Sequence, residues 1–278
     1  MTRDGSEIKI CEWNIHHQGG RGSKTTTPDW VVDELKDQDI VVLTEFPTDT
    51  RSASSKSRSS IIGGLQDSGF VCSPSDNRRG NDVLIAVKKS LITEPELEFY
   101  CPNPYYNEDE LIPENAFVQL KIKGRDLVVV GVRIRTLGQD YKGRKAQFNW
   151  LMEKLEQIGN HPVLLAGDWN HGRVCSSNED WSIGVMMDCL EEACYSVFPK
   201  TGSSCLAEPP RCRFPNDHFV INRAQLRLEN VQYDWEFVDA HASAYKWASG
   251  DSDAPRLAKV SPPYPDHAML KATLSFTN

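Results

Sequence analysis

The stretch Pro162-Val163-Leu164-Leu165-Ala166-Gly167-Asp168-Trp169-Asn170 decides the fold of this chain. Val163 to Ala166 is a short apolar run with no polar alternation, which predicts a strand buried on both faces. Before it, residues 144–158 carry Phe148, Leu151, Leu155 and Ile158 at helical spacing, and Gly159 is a natural C-terminal stop. A helix that feeds a doubly buried strand belongs to an α/β layer architecture. The strand then ends in Gly167-Asp168-Trp169-Asn170, which taken alone is ordinary turn chemistry.

The same pattern recurs outward in both directions. Ile8 to Ile15 reads as a strand with Asn14 near its end, and Ile40 to Leu43 as a short buried strand ending at Glu45. Asp82 to Val87, Phe117 to Ile122 and Asp126 to Ile134 read as strands, the last two joined by a Lys123-Gly124-Arg125 turn into a hairpin. Asp217 opens the strand His218 to Asn222, and Asp266-His267 precedes the strand Ala268 to Phe276. Thr27-Pro28-Asp29 starts a helix that ends near Asp39, and Met186 to Tyr195 reads as another helix. Strands outnumber helices, so two packed sheets with helices outside is the economical arrangement.

A polar residue at each of several strand ends is the feature that carries chemistry. Strand ends are rigid, and neighbouring strands end at one rim, so acids distant in sequence can converge. Converging carboxylates repel unless a cation or a proton intervenes. Oxygen ligands from Asp, Glu and Asn suit Mg²⁺ or Mn²⁺. Such a cation holds a phosphate oxygen during phosphoryl transfer, and a histidine beside it does proton work. His16, His17, His171 and His241 lack such a setting and read as structural or loop residues.

Composition narrows the classes. The 278 residues are 39% hydrophobic and 25% charged, an ordinary folded protein of one domain, 1–278. Net charge is −8, from 31 Lys+Arg against 39 Asp+Glu, which argues against a broad basic surface for nucleic acid but not against a local groove. The longest apolar run, Leu127 to Val132, is too short to span a bilayer, and the polar Met1 to Ser6 start gives no export signal, so a cytoplasmic, membrane-free protein is expected. Eight scattered cysteines then read as reduced thiols, with a Cys205–Cys212 bridge as the less favoured reading. Thr48 to Ser60, rich in serine with Arg51, Lys56 and Arg58, reads as a solvated loop next to Glu45.

The ordered set Trp13-Asn14-Ile15, Thr44-Glu45, Gly167-Asp168-Trp169-Asn170, Asn216-Asp217-His218-Phe219 and Pro265-Asp266-His267 resembles the endonuclease/exonuclease/phosphatase superfamily. That group includes deoxyribonuclease I, apurinic endonucleases, sphingomyelinases and inositol-polyphosphate phosphatases. The resemblance implies a four-layer α/β sandwich, two packed mixed β-sheets flanked by helices. It implies that Glu45 is the principal metal ligand, with Asn14 near the metal and phosphate and Asp266 a second metal-side or water-side ligand. Asp168 would orient or activate the attacking water with help from Asn170. His267 would contact phosphate, and Asp217 would fix its tautomer. Two positions depart from the pattern. Thr44 stands where the family commonly has Gln, and Arg133 stands near the end of the central strand where a histidine-type motif or Tyr is usual. Arginine is no proton shuttle at neutral pH, but it clamps phosphate bidentately. As a cation it is no metal ligand, so its loss is expected to leave metal affinity unchanged.

The expected function is therefore a divalent-metal-dependent phosphoesterase using Mg²⁺ or Mn²⁺. A nucleic-acid phosphodiester is the leading substrate, on the strength of Arg51, Lys56, Arg58, Arg78, Arg79, Arg211 and Arg213 around the motif residues. A phosphorylated small molecule or lipid headgroup is the alternative substrate. A binding module that keeps the fold without turnover is the alternative class.

Overall fold

Val163–Asp168 forms the expected strand, and each of its residues is buried. Leu164 and Ala166 enter one apolar core and Val163 and Leu165 another, because successive side chains leave a strand on opposite faces. The computed structural model describes residues 7–15, 30–47, 52–75, 82–92, 98–100, 114–122, 124–134, 141–170, 181–205, 215–241, 247–248, 256–257 and 265–277.

The strands are β1 (Ile8–Asn14), β2 (Ile40–Phe46), β3 (Phe70–Pro74), β4 (Asp82–Lys88), β5 (Glu98–Tyr100), β6 (Glu114–Ile122), β7 (Arg125–Arg133), β8 (Val163–Asp168), β9 (Tyr195–Phe198), β10 (Asp217–Asn222), β11 (Leu226–Asp234), β12 (Trp247–Ala248), β13 (Arg256–Leu257) and β14 (Met269–Phe276). The helices are α1 (Trp30–Leu35), α2 (Ser52–Asp67), α3 (Tyr141–Ile158), α4 (Ile183–Glu192) and α5 (Glu236–Ala240). One six-stranded sheet runs β11-β14-β1-β2-β4-β3 and a second runs β5-β6-β7-β8-β10-β9, with β12 and β13 as a separate pair. Both large sheets are mixed: β1 pairs parallel to β2 and antiparallel to β14, while β7 pairs parallel to β8 and antiparallel to β6.

Three cores separate four layers. Ile8, Ile10, Ile40, Val42 and Leu270 of the first sheet meet Val129, Leu164, Ala166 and Phe219 of the second. Val31 and Leu35 of α1 and Ile61 and Leu65 of α2 cover the outer face of the first sheet. Phe148, Leu151 and Leu155 of α3 and Met186, Met187 and Leu190 of α4 cover the outer face of the second. The sheets approach closely at Gly131, where a Cβ would lie 2.5 Å from Val83 Cγ1. This is the α/β sandwich expected from the motifs. No helix among the described residues is long and apolar enough to cross a membrane.

Two local expectations are corrected. The described part of the serine-rich stretch is not a loop but the first half of α2, because Ile61 and Leu65 further along dock the helix on the sheet and override weak local propensity. The helix expected to reach Tyr195 stops at Glu192, because Cys194 takes a left-handed φ of 68° and Tyr195 opens β9. Cys11, Cys72, Cys189, Cys194 and Cys205 form no disulfide; Cys212 lies outside the described residues.

Candidate active site

The inter-sheet core predicts where the polar residues go. Ile8 and Ile10 face inward on β1, so Glu12 and Asn14 continue the same phase. Val129 faces inward on β7, which puts Arg133 in phase, and Leu164 and Ala166 do the same for Asp168 on β8. Register then aligns the strand ends: Arg133 stands opposite Asp168, and Asp168 opposite Asp217. The apolar core is thus capped at one rim by Asn14, Arg133, Asp168 and Asp217.

Glu45 joins them by a different route. The β2–β4 register slips between Leu43 and Phe46, and Glu45 takes a left-handed φ of 49° at that irregularity. A strained backbone at a strand end re-aims its side chain, and Glu45 meets β7: Arg133 Nη2 donates to Glu45 Oε1 at 2.8 Å. Behind it, Arg58 of α2 donates to Pro47 O and Asp82 and lies over the Phe46 ring. Arg58 therefore braces the segment that follows Glu45 instead of offering a free cation. Lys56 is exposed; Arg51, Arg78, Arg79, Arg211 and Arg213 lie outside the described residues.

Asp168 is the best-held carboxylate. Its Oδ2 accepts from Asn14 Nδ2 at 3.0 Å and from Asn170 Nδ2 at 2.7 Å, and its Oδ1 accepts from the Asn170 amide at 2.9 Å. Asn170 also has a left-handed φ, 51°. Burial pushes the Asp168 carboxyl up to about 7; the negative charges of Asp217 and Glu45 add to this, and His267 and Arg133 oppose it. Gly167 before it admits no side chain, since a Cβ would fall 1.8 Å from the Val132 carbonyl oxygen.

His267 and Asp217 form a second unit. The His267 Nδ1–Asp217 Oδ2 distance is 2.6 Å. Both sit deep in the structure, and Asp217 is fixed further through its backbone: Tyr233 donates to its carbonyl, and its amide donates to Ser204 Oγ. The Trp13 indole donates to the His267 carbonyl at 2.9 Å. Burial alone would lower the His267 pKa, but Asp217, Cys205 and the hydrogen bonds that the ring donates to both raise it well above its ordinary range. Asp266 Oδ1 lies 3.9 Å from His267 Nε2.

Each site residue expected from sequence thus falls at this rim: Asn14, Glu45, Arg133, Asp168, Asn170, Asp217, Asp266 and His267. His16, His17 and His171 lie outside the described residues, and His241 stacks on Trp30 with ring centroids 4.0 Å apart. Sequence reasoning missed Glu12, which is fully buried, accepts from Thr44 Oγ1 at 3.1 Å and carries a pKa driven well above the carboxylate range by burial and by Asp217 and Asp168. Its signal was its phase, two residues from Ile10 and two from Asn14. Arg144 was missed as well, although it falls in phase with Phe148, Leu151 and Leu155.

The donor set fits a hard divalent cation. Glu45, Asn14 and Asp266 offer carboxylate and amide oxygens, and no sulfur or imidazole is needed. Among the described residues no group of three or more His, Cys, Asp or Glu side chains is arranged to hold a metal alone. Few protein ligands with water completing the shell is the usual state of Mg²⁺.

The model of the Endonuclease/Exonuclease/phosphatase family matches residues 11–261. The chain belongs to that family. Family members are phosphoester hydrolases. Solved structures with the same fold include a family protein from Bacteroides thetaiotaomicron (TM-score 0.63, 12% identity, 98% of each chain). A mannosyl-6-phosphatase from the same organism matches with TM-score 0.57 and 13% identity, over 97% of this chain and 100% of that one. D. rerio TDP2 complexed with a single-strand DNA product matches with TM-score 0.56 and 15% identity, over 97% of this chain and 99% of that one. Among curated protein sequences none matches. At such identities the likeness is one of fold alone.

Proposed function

We propose that the chain is a single-domain, divalent-metal-dependent phosphodiesterase whose substrate is nucleic acid. The observation that carries the reading is the convergence at one rim of Asp168, held by Asn14 and Asn170, with the Arg133–Glu45 pair and the His267–Asp217 pair. Glu45, Asn14 and Asp266 would hold Mg²⁺ or Mn²⁺, whose chemistry is to polarise a phosphate oxygen and neutralise charge that develops on it.

The protein's own groups then divide the work. Asp168 sits near 7 and takes a proton from water at neutral pH. Asn14 and Asn170 keep its carboxylate oriented, leaving the attacking water one direction of approach. His267 is held as an imidazolium by Asp217 and donates to a phosphate oxygen. Arg133 turns its fork from Glu45 toward the phosphate and stabilises negative charge there.

The test is a turnover panel of plasmid, single-stranded DNA, RNA, a phosphoinositide and a sugar phosphate, each with Mg²⁺, Mn²⁺ or chelator. Cleavage of a nucleic acid that chelator abolishes is the expected result. Full turnover in chelator overturns the metal reading. Release of phosphate from the sugar phosphate alone, or turnover of the phosphoinositide alone, assigns the alternative substrate class. No turnover of any substrate leaves a binding module.

A further inference from the structure

Arg144 is a fully buried cation on α3 that the reaction described above does not use. Its guanidinium donates from Nη2 to Asn170 O at 2.7 Å and Trp169 O at 3.1 Å, and from Nε to Trp181 O at 3.1 Å. Among the described residues no carboxylate lies within ion-pair distance of it. Burial lowers its pKa to about 10 and the charge of Asp168 opposes that, so the group stays charged at neutral pH. A buried cation whose partners are neutral carbonyls is costly, and an apolar side chain would fill the same space between α3 and α4. Packing therefore does not explain it.

The backbone accounting of the catalytic turn does. The Asp168 carbonyl accepts from the Ile134 amide, and the Trp169 amide donates to Asn216 O. The Asn170 amide is used by Asp168 Oδ1. The Trp169 and Asn170 carbonyls are left, at the residue pair where the chain turns into a left-handed conformation, and both accept from Arg144. Asn170 in that conformation delivers Nδ2 to Asp168 Oδ2. The third carbonyl, Trp181 O, belongs to the segment that leads into α4, so one planar fork ties the catalytic turn to two helices.

We infer that Arg144 is a positioning residue for the catalytic turn: it holds the Trp169 and Asn170 carbonyls so that Asn170 keeps Asp168 aimed at the attacking water. The inference rests on the proposed hydrolysis for its kinetic consequence but not for its geometry. A guanidinium serves three carbonyls from one plane, whereas an ammonium is a point donor and cannot reach them all in the same way.

The experiment uses Arg144→Met, which keeps the apolar stem volume, and Arg144→Lys, which keeps a charge. For each, kcat and KM are measured beside thermal melting, and the crystal structure of Arg144→Met is solved. The expected result is a kcat lower by the order of ~10²-fold in Arg144→Met, with KM within a few-fold, as for misplacement of a catalytic group. Arg144→Lys should recover part of it. The structure should show the Asn170 side chain off Asp168. An Arg144→Met enzyme with unchanged kcat, or a loss that only follows the unfolded fraction, overturns the inference. So does a structure in which the Asn170–Asp168 contact is intact. If the wild-type protein turns over no phosphoester, the proposed function falls while the crystal structure still decides the geometry. If Arg144→Met fails to fold, Arg144→Lys carries the same kcat test, and wild-type kcat in it overturns the inference.

Discussion

Asp168 is a carboxylate placed where a folded protein would prefer a neutral group, and this separates its value to catalysis from its value to stability. Asp168→Asn removes the proposed base and should lower kcat by about 10²- to 10⁴-fold. The same change relieves a buried acid whose ionisation the fold resists but turns an amide NH2 toward one of the donors that the carboxylate now accepts from, so the two effects oppose and Tm should move little; a large drop in Tm would mean that the carboxylate is structural. Asp217 and His267 share one hydrogen bond, and in the proposed reaction both act through one imidazole. Losing either should therefore cost much the same, and the double variant little more, because groups that act as a unit are non-additive. Additive losses in kcat would sink the pairing. For Arg133 the pair with Glu45 alters the expectation from sequence. Arg133→Ala should lower kcat by the order of ~10²-fold. Metal affinity should not stay unchanged, as a bare guanidinium implied, but should tighten, because Glu45 loses a competing cation. Titration of Mn²⁺ into both proteins decides between the two; equal or weaker binding by the variant would count against competition at Glu45.

At the scale of elements, what was legible in the sequence was what burial on both faces imposes. Val163 to Ala166 and Ile40 to Leu43 were recognisable as strands because each side chain enters an apolar core, inter-sheet on one side and under helices on the other. The polar residue at each strand end was legible for the same reason, since an apolar run has a visible end. The β11 strand was not, because it lies at a sheet edge and only Leu226 and Leu228 of its first half are buried, between exposed Arg227 and Glu229. The start of α2 was hidden by serines, whose helical state depends on packing further along. Arg144 and Glu12 were hidden by identity: charged residues at inward-phase positions read as surface until the register is known. The β7–β8 pairing makes one demand that sequence does express, at Gly167. Gly167→Ala would drive a Cβ into the Val132 carbonyl and part the two strands that carry Arg133 and Asp168. The substitution should cost about 3 kcal/mol or more, the upper range for a single change, measured by denaturant unfolding. A cost near that of a surface substitution would show that the strands are free to move apart.

For the whole molecule, the closed end of the site matters as much as the open one. Glu12 lies on the inward face of β1, below Asn14 and above Ile10, where the two sheets meet. Folding takes its carboxyl out of water and sets it near Asp217 and Asp168, so the protonated form is favoured in the native state. The unfolded chain titrates it at its ordinary value of 4.5 and the native chain well above that. Between those two values the native state binds more protons than the unfolded state, and stability falls as pH rises. Below the unfolded value the contribution is whole; through the window and up to the folded value it is lost, at up to ~1.4 kcal/mol for each pH unit. Glu12→Gln keeps the size and an acceptor for Thr44 but has no proton to lose. The variant should therefore match the wild type near pH 4.5 and become progressively more stable than it as pH rises. Melting temperatures of both proteins across pH 4.5 to 9 test this, and a constant difference between the two curves would show that Glu12 is ionised in the native fold.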